Sequence, residues 1–286
     1  MHKLKSYHKG FFIVFLLFLL SLILSTKIYS ETNRQVIKVG SGRVTFNSMI
    51  RDISDGKVIY IGESHDNRLH HETQLDIIKT FYENGYPLAI GLEMFMNKDQ
   101  NILDKWITKE IKEDDFIEAF YRNWGIGWGL YKDIFLYARE KGIPMIGLNV
   151  PREITRKVAE KGFQSLSRED RAKLPPNITC DIDKRYMDLL QRLFEIKARN
   201  SRTFKNFCEA QVLWDQAMAW YINQYLDENP KRKVIVLTGN IHAWKYGIPR
   251  QLQRFVDINQ KVVLSEIPAD IRSVSKDEAD YIIIHR

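Results

Sequence analysis

Cysteine and proline are scarce in this chain of 286 residues, at 2 and 8, and glycine is ordinary at 15. Two cysteines, Cys180 and Cys208, cannot make the disulfide framework of a small secreted domain. Their spacing says nothing about geometry, so two free thiols are as good a reading as one bridge. The modest glycine and proline content, with 44% hydrophobic and 28% charged residues, excludes collagen-like and disordered classes. No internal repeat and no low-complexity tract occurs. A dense Lys/Arg stripe is also lacking. The formal charge is +7, and Lys3, Lys5, Lys9 and Lys27 supply four of those charges in a stretch without an acid. The remainder is only mildly basic, which argues against a nucleic-acid partner.

One long apolar run is present, from Phe11 to Leu24, interrupted only by Ser21. It falls short of the roughly 20 residues of a comfortable membrane span. A basic leader, an apolar stretch of this size and a polar Ser25–Ser30 segment read as a secretory signal. Cleavage near Ser30, after Ile28 and Tyr29, is the preferred reading. Retention of residues 1–30 as an N-terminal anchor is the alternative. No cysteine follows the apolar run, so lipid attachment there has no acceptor thiol. The chain is therefore expected to be exported, to the periplasm or a membrane-associated part of the cell envelope. Contact with the membrane is expected only through this segment. Residues 31–286 then form one α/β domain.

Four short apolar runs end abruptly in chemically capable residues. Val58–Ile61 leads into Gly62-Glu63-Ser64-His65-Asp66, and Leu88–Ile90 into Gly91-Leu92-Glu93-Met94. Pro144–Ile146 leads into Gly147-Leu148-Asn149, and Val234–Leu237 into Thr238-Gly239-Asn240-Ile241-His242. Such runs, rich in β-branched residues, read as buried parallel strands. The segments between the first three have helical period, with a stop expected at Asn84-Gly85. The expected fold is a mostly parallel central sheet flanked by helices. Val36–Val39 and Val44–Phe46 form a candidate edge hairpin, and Val262–Ile267 and Tyr281–Ile284 two further strands. Residues 98–140 read as mostly helical, broken at Asn123–Gly129, where three glycines disfavour regular helix. No strand is evident at about 151–230, which reads as a helical insertion capping one end of the sheet. Its two main helices fall at roughly 183–199 and 203–227.

In an open α/β sheet the ligand crevice lies outside the carboxyl ends of the strands. Glu63, His65, Glu93, Asn149 and His242 are thus expected to meet. Imidazole and carboxylate are good donors to a divalent transition metal, and Glu63, His65, Glu93 and His242 form the candidate metal and catalytic set. Surface histidines beside a helix-capping Asp66 or Asn67 are the simpler alternative. His71 and Gln74 share a face of the following helix; His70 is a weaker candidate. A carboxylate such as Glu93 at the end of an apolar strand costs several kcal/mol unless paired or ligating. Asn240 and His242 can face the crevice together if their segment is extended. Gln211 and Asp215, four apart on an aromatic helix, face one way. Trp124, Trp128 and Tyr131 read as core or as the wall of a site for a flat cofactor. Tyr246 can supply a phenolate or simply pack in its loop.

Taken in order, these motifs resemble the ChaN family, the haem-binding-uptake branch of the Tiki superfamily. They are Gly-Glu-Ser-His-Asp-Asn with His70-His71 and Gln74, Gly-Leu-Glu-Met-Phe, Trp124 and Trp128 with Tyr131, Gly-Leu-Asn-Val-Pro-Arg ending at Arg152, the Ala210–Ala219 stretch, and Gly-Asn-Ile-His with Gly-Ile-Pro-Arg. The likeness spans roughly residues 45–255. It implies an exported α/β protein with a helical cap, acting in haem or iron acquisition. It also implies haem stacked in a dimer, each iron on a tyrosine, so a homodimer is a possible assembly. Tyr131 and Tyr246 are the candidate ligands, with Tyr186 behind them. Arg152 is a candidate propionate partner, and His71, Trp124, Trp128, Asn149, Gln211 and Asp215 candidate cofactor contacts. The lipobox cysteine of relatives is missing. The superfamily also resembles erythromycin esterases and Tiki metalloproteases, which keeps a metal-dependent hydrolase as the alternative. The expected partner is haem or another small ligand.

Overall fold

In a computed structural model, residues 34–125, 127–194, 202–266 and 274–285 are described. Leader residues 1–30 and Ile267 lie outside them. An edge hairpin, β1 (Arg34–Lys38) and β2 (Gly42–Val44), is followed by α1 (Phe46–Ile53), β3 (Val58–Glu63) and α2 (Arg68–Glu83). Next come β4 (Leu88–Met96), α3 (Gln100–Ile107), α4 (Glu113–Asn123), α5 (Trp128–Lys141) and β5 (Met145–Asn149). The helical stretch contains α6 (Arg152–Lys161), α7 (Arg168–Ala172), α8 (Lys184–Leu193) and α9 (Arg202–Glu228). The chain returns through β6 (Lys233–Gly239), α10 (Asn240–Ala243), α11 (Ile248–Leu252), β7 (Gln260–Ser265) and β8 (Tyr281–His285).

The eight strands form one α/β sheet in the order β2-β1-β8-β7-β3-β6-β4-β5. From β8 to β5 all pairings are parallel, and only the β1–β2 and β1–β8 pairings are antiparallel. The four strands that end in polar motifs, β3, β6, β4 and β5, are therefore consecutive neighbours. That adjacency is what lets distant segments share one rim.

Alternation along the strands divides the core into two faces. Ile59, Ile61, Ile90, Leu92, Ile235 and Leu237 pack against α1 to α5, with Phe81, Trp106, Phe116, Phe120 and Phe135. Val58, Tyr60, Ala89, Val234 and Val236 face α8 and α9, with Leu190, Val212, Met218 and Ile222. Strands buried on both faces need continuous apolar sequence, which is why they stand out in the chain. Helix α2 is capped by Asn67, whose side chain accepts from the Leu69 amide at 3.0 Å. It ends at Asn84, followed by Gly85 with φ of 78°, the left-handed position glycine favours.

Two local expectations change. Trp128 and Gly129 belong to the first turn of α5, where a glycine costs least. Helices α8 and α9 lie along one sheet face as a layer, because their apolar stripes have the Val58, Val234 and Val236 surface to cover. Among the described residues no helix is long and apolar enough to cross a membrane.

Candidate functional site

The parallel register sets Glu63, the last residue of β3, beside Gly239, the last of β6. Glu93 extends one residue beyond the Leu92–Leu237 pair. A bulge between Leu92 and Met96 shifts the pairing of β4 with β5; bulges re-aim side chains at strand ends. Above these ends lies a cleft of about 590 Å³, its lining including His65, Glu93, Trp124, Asn149, Arg152, Gln211, Trp214 and His242.

Glu63 is 2% exposed and accepts from four groups. Oε1 takes the Tyr131 hydroxyl at 2.5 Å and His65 Nδ1 at 2.9 Å. Oε2 takes Gln74 Nε2 at 2.7 Å and lies 3.2 Å from His71 Nδ1. Burial pushes its pKa up, but the hydrogen bonds from His65 and His71 and their charge outweigh it and hold the carboxyl far below its usual range. His65 is moved the other way: burial opposes its charge, yet the Glu63 hydrogen bond and the nearby Glu93 raise it to about 9. His71 is raised as well, against burial, chiefly by Glu63. Its Nε2–H donates to the His65 carbonyl at 3.1 Å, which fixes the turn that carries His65.

A second arrangement of the same kind faces it. Asp215, fully buried on α9, accepts from the Tyr186 hydroxyl at 2.6 Å and from His242 Nδ1 at 2.7 Å. Burial opposes charge on His242, but Asp215 and Glu93 raise its pKa. Each imidazole thus has Nδ1 on a buried carboxylate that is itself held by a tyrosine. Glu93 sits between them. Its Oε2 accepts from the Thr238 hydroxyl at 2.6 Å and the Gly239 amide at 2.7 Å, while Oε1 lies 3.7 Å from His242 Nε2. A Cβ on Gly239 would stand 3.0 Å from His65 Cε1 and 3.2 Å from Nε2, so glycine there leaves room for the ring.

The remaining predicted residues sort by position. Asn149 donates to the Glu93 carbonyl at 2.7 Å and accepts from Trp214 Nε1 at 2.9 Å. Trp124 meets His65 edge-on at 4.9 Å between centroids, and Trp214 meets His242 at 5.6 Å. Arg152 donates to the Asn123 carbonyl at 2.7 Å. Gln211 lines the cleft, and its Oε1 is buried without a partner. Arg156 was not marked by any sequence pattern; Thr238 and Trp214 lay within the quoted motifs without a role, and that of Thr238 is recognisable only once β4 is known to lie beside β6.

Several expectations are corrected. Trp128 does not line the cleft: it packs among Trp106, Phe116, Phe120 and Phe135 in the core. Tyr131 and Tyr186 lie behind the cleft wall with their hydroxyls given to carboxylates, and burial raises both phenols well above their usual value. With each hydroxyl committed to a carboxylate, neither is presented to the cleft. Tyr246 is half-buried and outside the cleft lining. Arg185 stands 5.3 Å from its ring centroid. Asn240 does not accompany His242, because the segment is a short helix that turns residues two apart away from each other. Its amide instead clamps Ser265, donating to its carbonyl at 2.5 Å and accepting from its N–H at 3.0 Å. Cys180 and Cys208 are both free and buried.

Glu63 also leaves the candidate metal set, since both its oxygens are taken by protein donors. The atoms left facing the cleft are His65 Nε2, His242 Nε2 and the Glu93 Oε1 edge. They suit proton transfer while the imidazoles are charged. Deprotonated, with Nδ1 on a carboxylate, they have the orientation that second-shell acids give to metal-binding histidines. A separate trio, His70, Glu266 and His285, has donor atoms within 4.8 Å of one another. The Ser64 amide donates to His70 Nδ1 at 2.8 Å, so the neutral ring carries its proton on Nε2. That atom faces Glu266 at 3.9 Å as a donor, which disqualifies it as a ligand.

Comparison with known proteins agrees with this framework. Solved structures match over most of the chain. ChaN of Campylobacter jejuni, described as binding haem cofacially, is 22% identical with a TM-score of 0.67, covering 89% of this chain and 97% of that one. A succinoglycan biosynthesis protein is 13% identical with a TM-score of 0.51, covering 84% and 90%. The erythromycin esterase EreC, in a mutant form, is 14% identical with a TM-score of 0.49, covering 80% and 76%. Among curated proteins, none matches. The first two likenesses concern the fold. A family model described as haem-binding uptake, Tiki superfamily, ChaN, matches residues 49–252, well over half the sequence, and the chain belongs to that family.

Proposed function

We propose that the protein is an exported haem- or iron-binding protein of the cell envelope that serves haem or iron uptake, with residues 1–30 as its export signal. Membership of the haem-binding uptake family carries this reading. Of the three candidate tyrosines, Tyr246 is best suited to ferric haem, since Tyr131 and Tyr186 are buried and committed to carboxylates. Tyr246 is half-buried, with the Arg185 guanidinium above its ring. A tyrosinate is an established haem-iron ligand, and a guanidinium suits a propionate. Two copies of the chain meeting at this surface would stack their haems face to face.

Titration of haemin into the purified protein tests the proposal. A saturable Soret shift is expected, abolished in Tyr246→Phe and kept in Tyr131→Phe. Equal spectra for wild type and Tyr246→Phe would remove the tyrosine assignment, and no shift in the wild type would remove haem.

A second reading rests on a separate observation: two imidazoles, each oriented by a buried carboxylate, present Nε2 to one cleft beside Glu93. This arrangement suits hydrolysis: the raised values keep the imidazoles charged, so each ring can donate a proton to a leaving group. With both rings deprotonated, His65, His242 and Glu93 would instead hold a divalent ion, which would lower the pKa of its bound water towards 7. Elemental analysis of wild type and His65→Ala is the check. Stoichiometric metal lost in the variant supports the ion, and equal content in both counts against it.

A further inference from the structure

The cleft has a cationic feature that neither haem on Tyr246 nor the acid–imidazole floor explains. Arg152 and Arg156, one turn apart on α6, both line it and are both exposed. Among the described residues no carboxylate lies within 4.0 Å of either guanidinium. Arg152 is steadied by the Asn123 carbonyl at 2.7 Å and stands 5.8 Å from the Trp124 ring centroid. The acids of the site lie deeper and are occupied: Glu63 by Tyr131, Gln74, His65 and His71; Asp215 by Tyr186 and His242; one Glu93 oxygen by Thr238 and Gly239. Positive charge is therefore at the rim and bound negative charge at the floor. The walls are indoles, Trp124 beside His65 and Trp214 beside His242. Gln211, 7% exposed, leaves its side-chain oxygen without a donor.

We propose that this cleft binds a small organic oxyanion with an aromatic or apolar body, separately from haem. Arg152 and Arg156 take the anionic end, the body lies between Trp124 and Trp214, and Gln211 accepts from a ligand hydroxyl or amide. Guanidinium recognises carboxylate and phosphate alike, as a planar fork that donates two parallel hydrogen bonds. The inference rests on the cleft being a ligand site; it does not require the Tyr246 assignment.

Isothermal titration with phenyl phosphate, benzoate and benzyl alcohol, on full-length protein at neutral pH, tests it. The two anions separate phosphate from carboxylate preference; the alcohol is the neutral control. Saturable binding of at least one anion is expected, tenfold or more tighter than the alcohol and weakening with added salt. Arg152→Gln with Arg156→Gln should lose at least tenfold, with an unchanged circular dichroism spectrum. Each single variant should lose a smaller factor, which keeps the test usable if the pair does not fold. Saturating phenyl phosphate should leave the haemin spectrum unaltered. Binding of the alcohol as tight as that of the anions, no binding of either anion, or undiminished binding by the arginine variants would overturn the proposal. Displacement of haemin would overturn the separateness of the two sites. A failed haemin titration alone would fall on the uptake reading instead.

Discussion

Glu63 keeps its charge in a dry place because four donors converge on two oxygens, and His65 keeps a proton for the same reason. Removing the charge separates cause from effect. Glu63→Gln should bring the His65 pKa down from about 9 towards the ordinary value near 6.5, read by NMR titration of the imidazole. The variant should also lose roughly 3–5 kcal/mol of stability in urea unfolding, the usual cost of breaking a buried charged network from one side. An unmoved His65 would show that Glu93 rather than Glu63 sets its protonation. At this scale the sequence was informative about residue type and poor about partner. Glu63, His65, Glu93 and His242 were visible as polar ends of apolar strands. That Tyr131 serves Glu63, and Tyr186 serves Asp215, depends on helices whose aromatic residues look alike in sequence. Trp124 and Trp128 illustrate this: four residues apart in one cluster, one borders the cleft and the other fills the core.

Among the elements, strands and long helices were legible and short connecting helices were not. A strand buried on both faces is a continuous apolar run, whereas the four residues of α10 have no period to detect. The bend from β6 into α10 nevertheless decides which of Asn240 and His242 enters the cleft. Close packing holds that bend. A Cβ on Gly62 would lie 3.1 Å from Asn240 Cα, 3.2 Å from Ala243 Cβ, and in collision with the Asn240 side-chain oxygen. Gly62→Ala should cost about 1–3 kcal/mol by overpacking, measured by denaturant midpoint. It should also shift the NMR resonances of His242, since α10 has to move away from β3. A variant as stable as wild type, with His242 unmoved, would show slack at this junction.

For the molecule as a whole, the titrating groups pull in opposite directions on either side of neutrality. His65, His71 and His242 have raised values in the folded state. Their contribution is complete below their unfolded value of 6.5 and is lost as pH rises through the folded values, about 9 for His65. His70 is lowered to about 4, by burial first and then His285, and His285 is lowered too by burial. These two subtract stability as pH falls below 6.5, where the unfolded chain takes up protons that the fold refuses. Glu63, held low, loses its contribution only further into acid. The melting temperature should therefore peak between about pH 6 and 7 and fall on both sides. A flat profile from pH 5 to 9 would contradict these assignments. The proposed export makes a further forecast: intact mass of the protein from its native host should place the mature N-terminus near residue 31, and an unprocessed mass would favour the anchor.

The order of strands across the sheet has one more consequence. Glu63, His65 and Glu93 arrive before the segment joining α7 to α8, and Asp215 and His242 arrive after it. A single proteolytic nick there would give two pieces, neither holding a complete floor, with β6 of one required to slot between β3 and β4 of the other. Any ligand capture regained on mixing such halves would measure how well they dock, making the cleft a built-in reporter of reassembly.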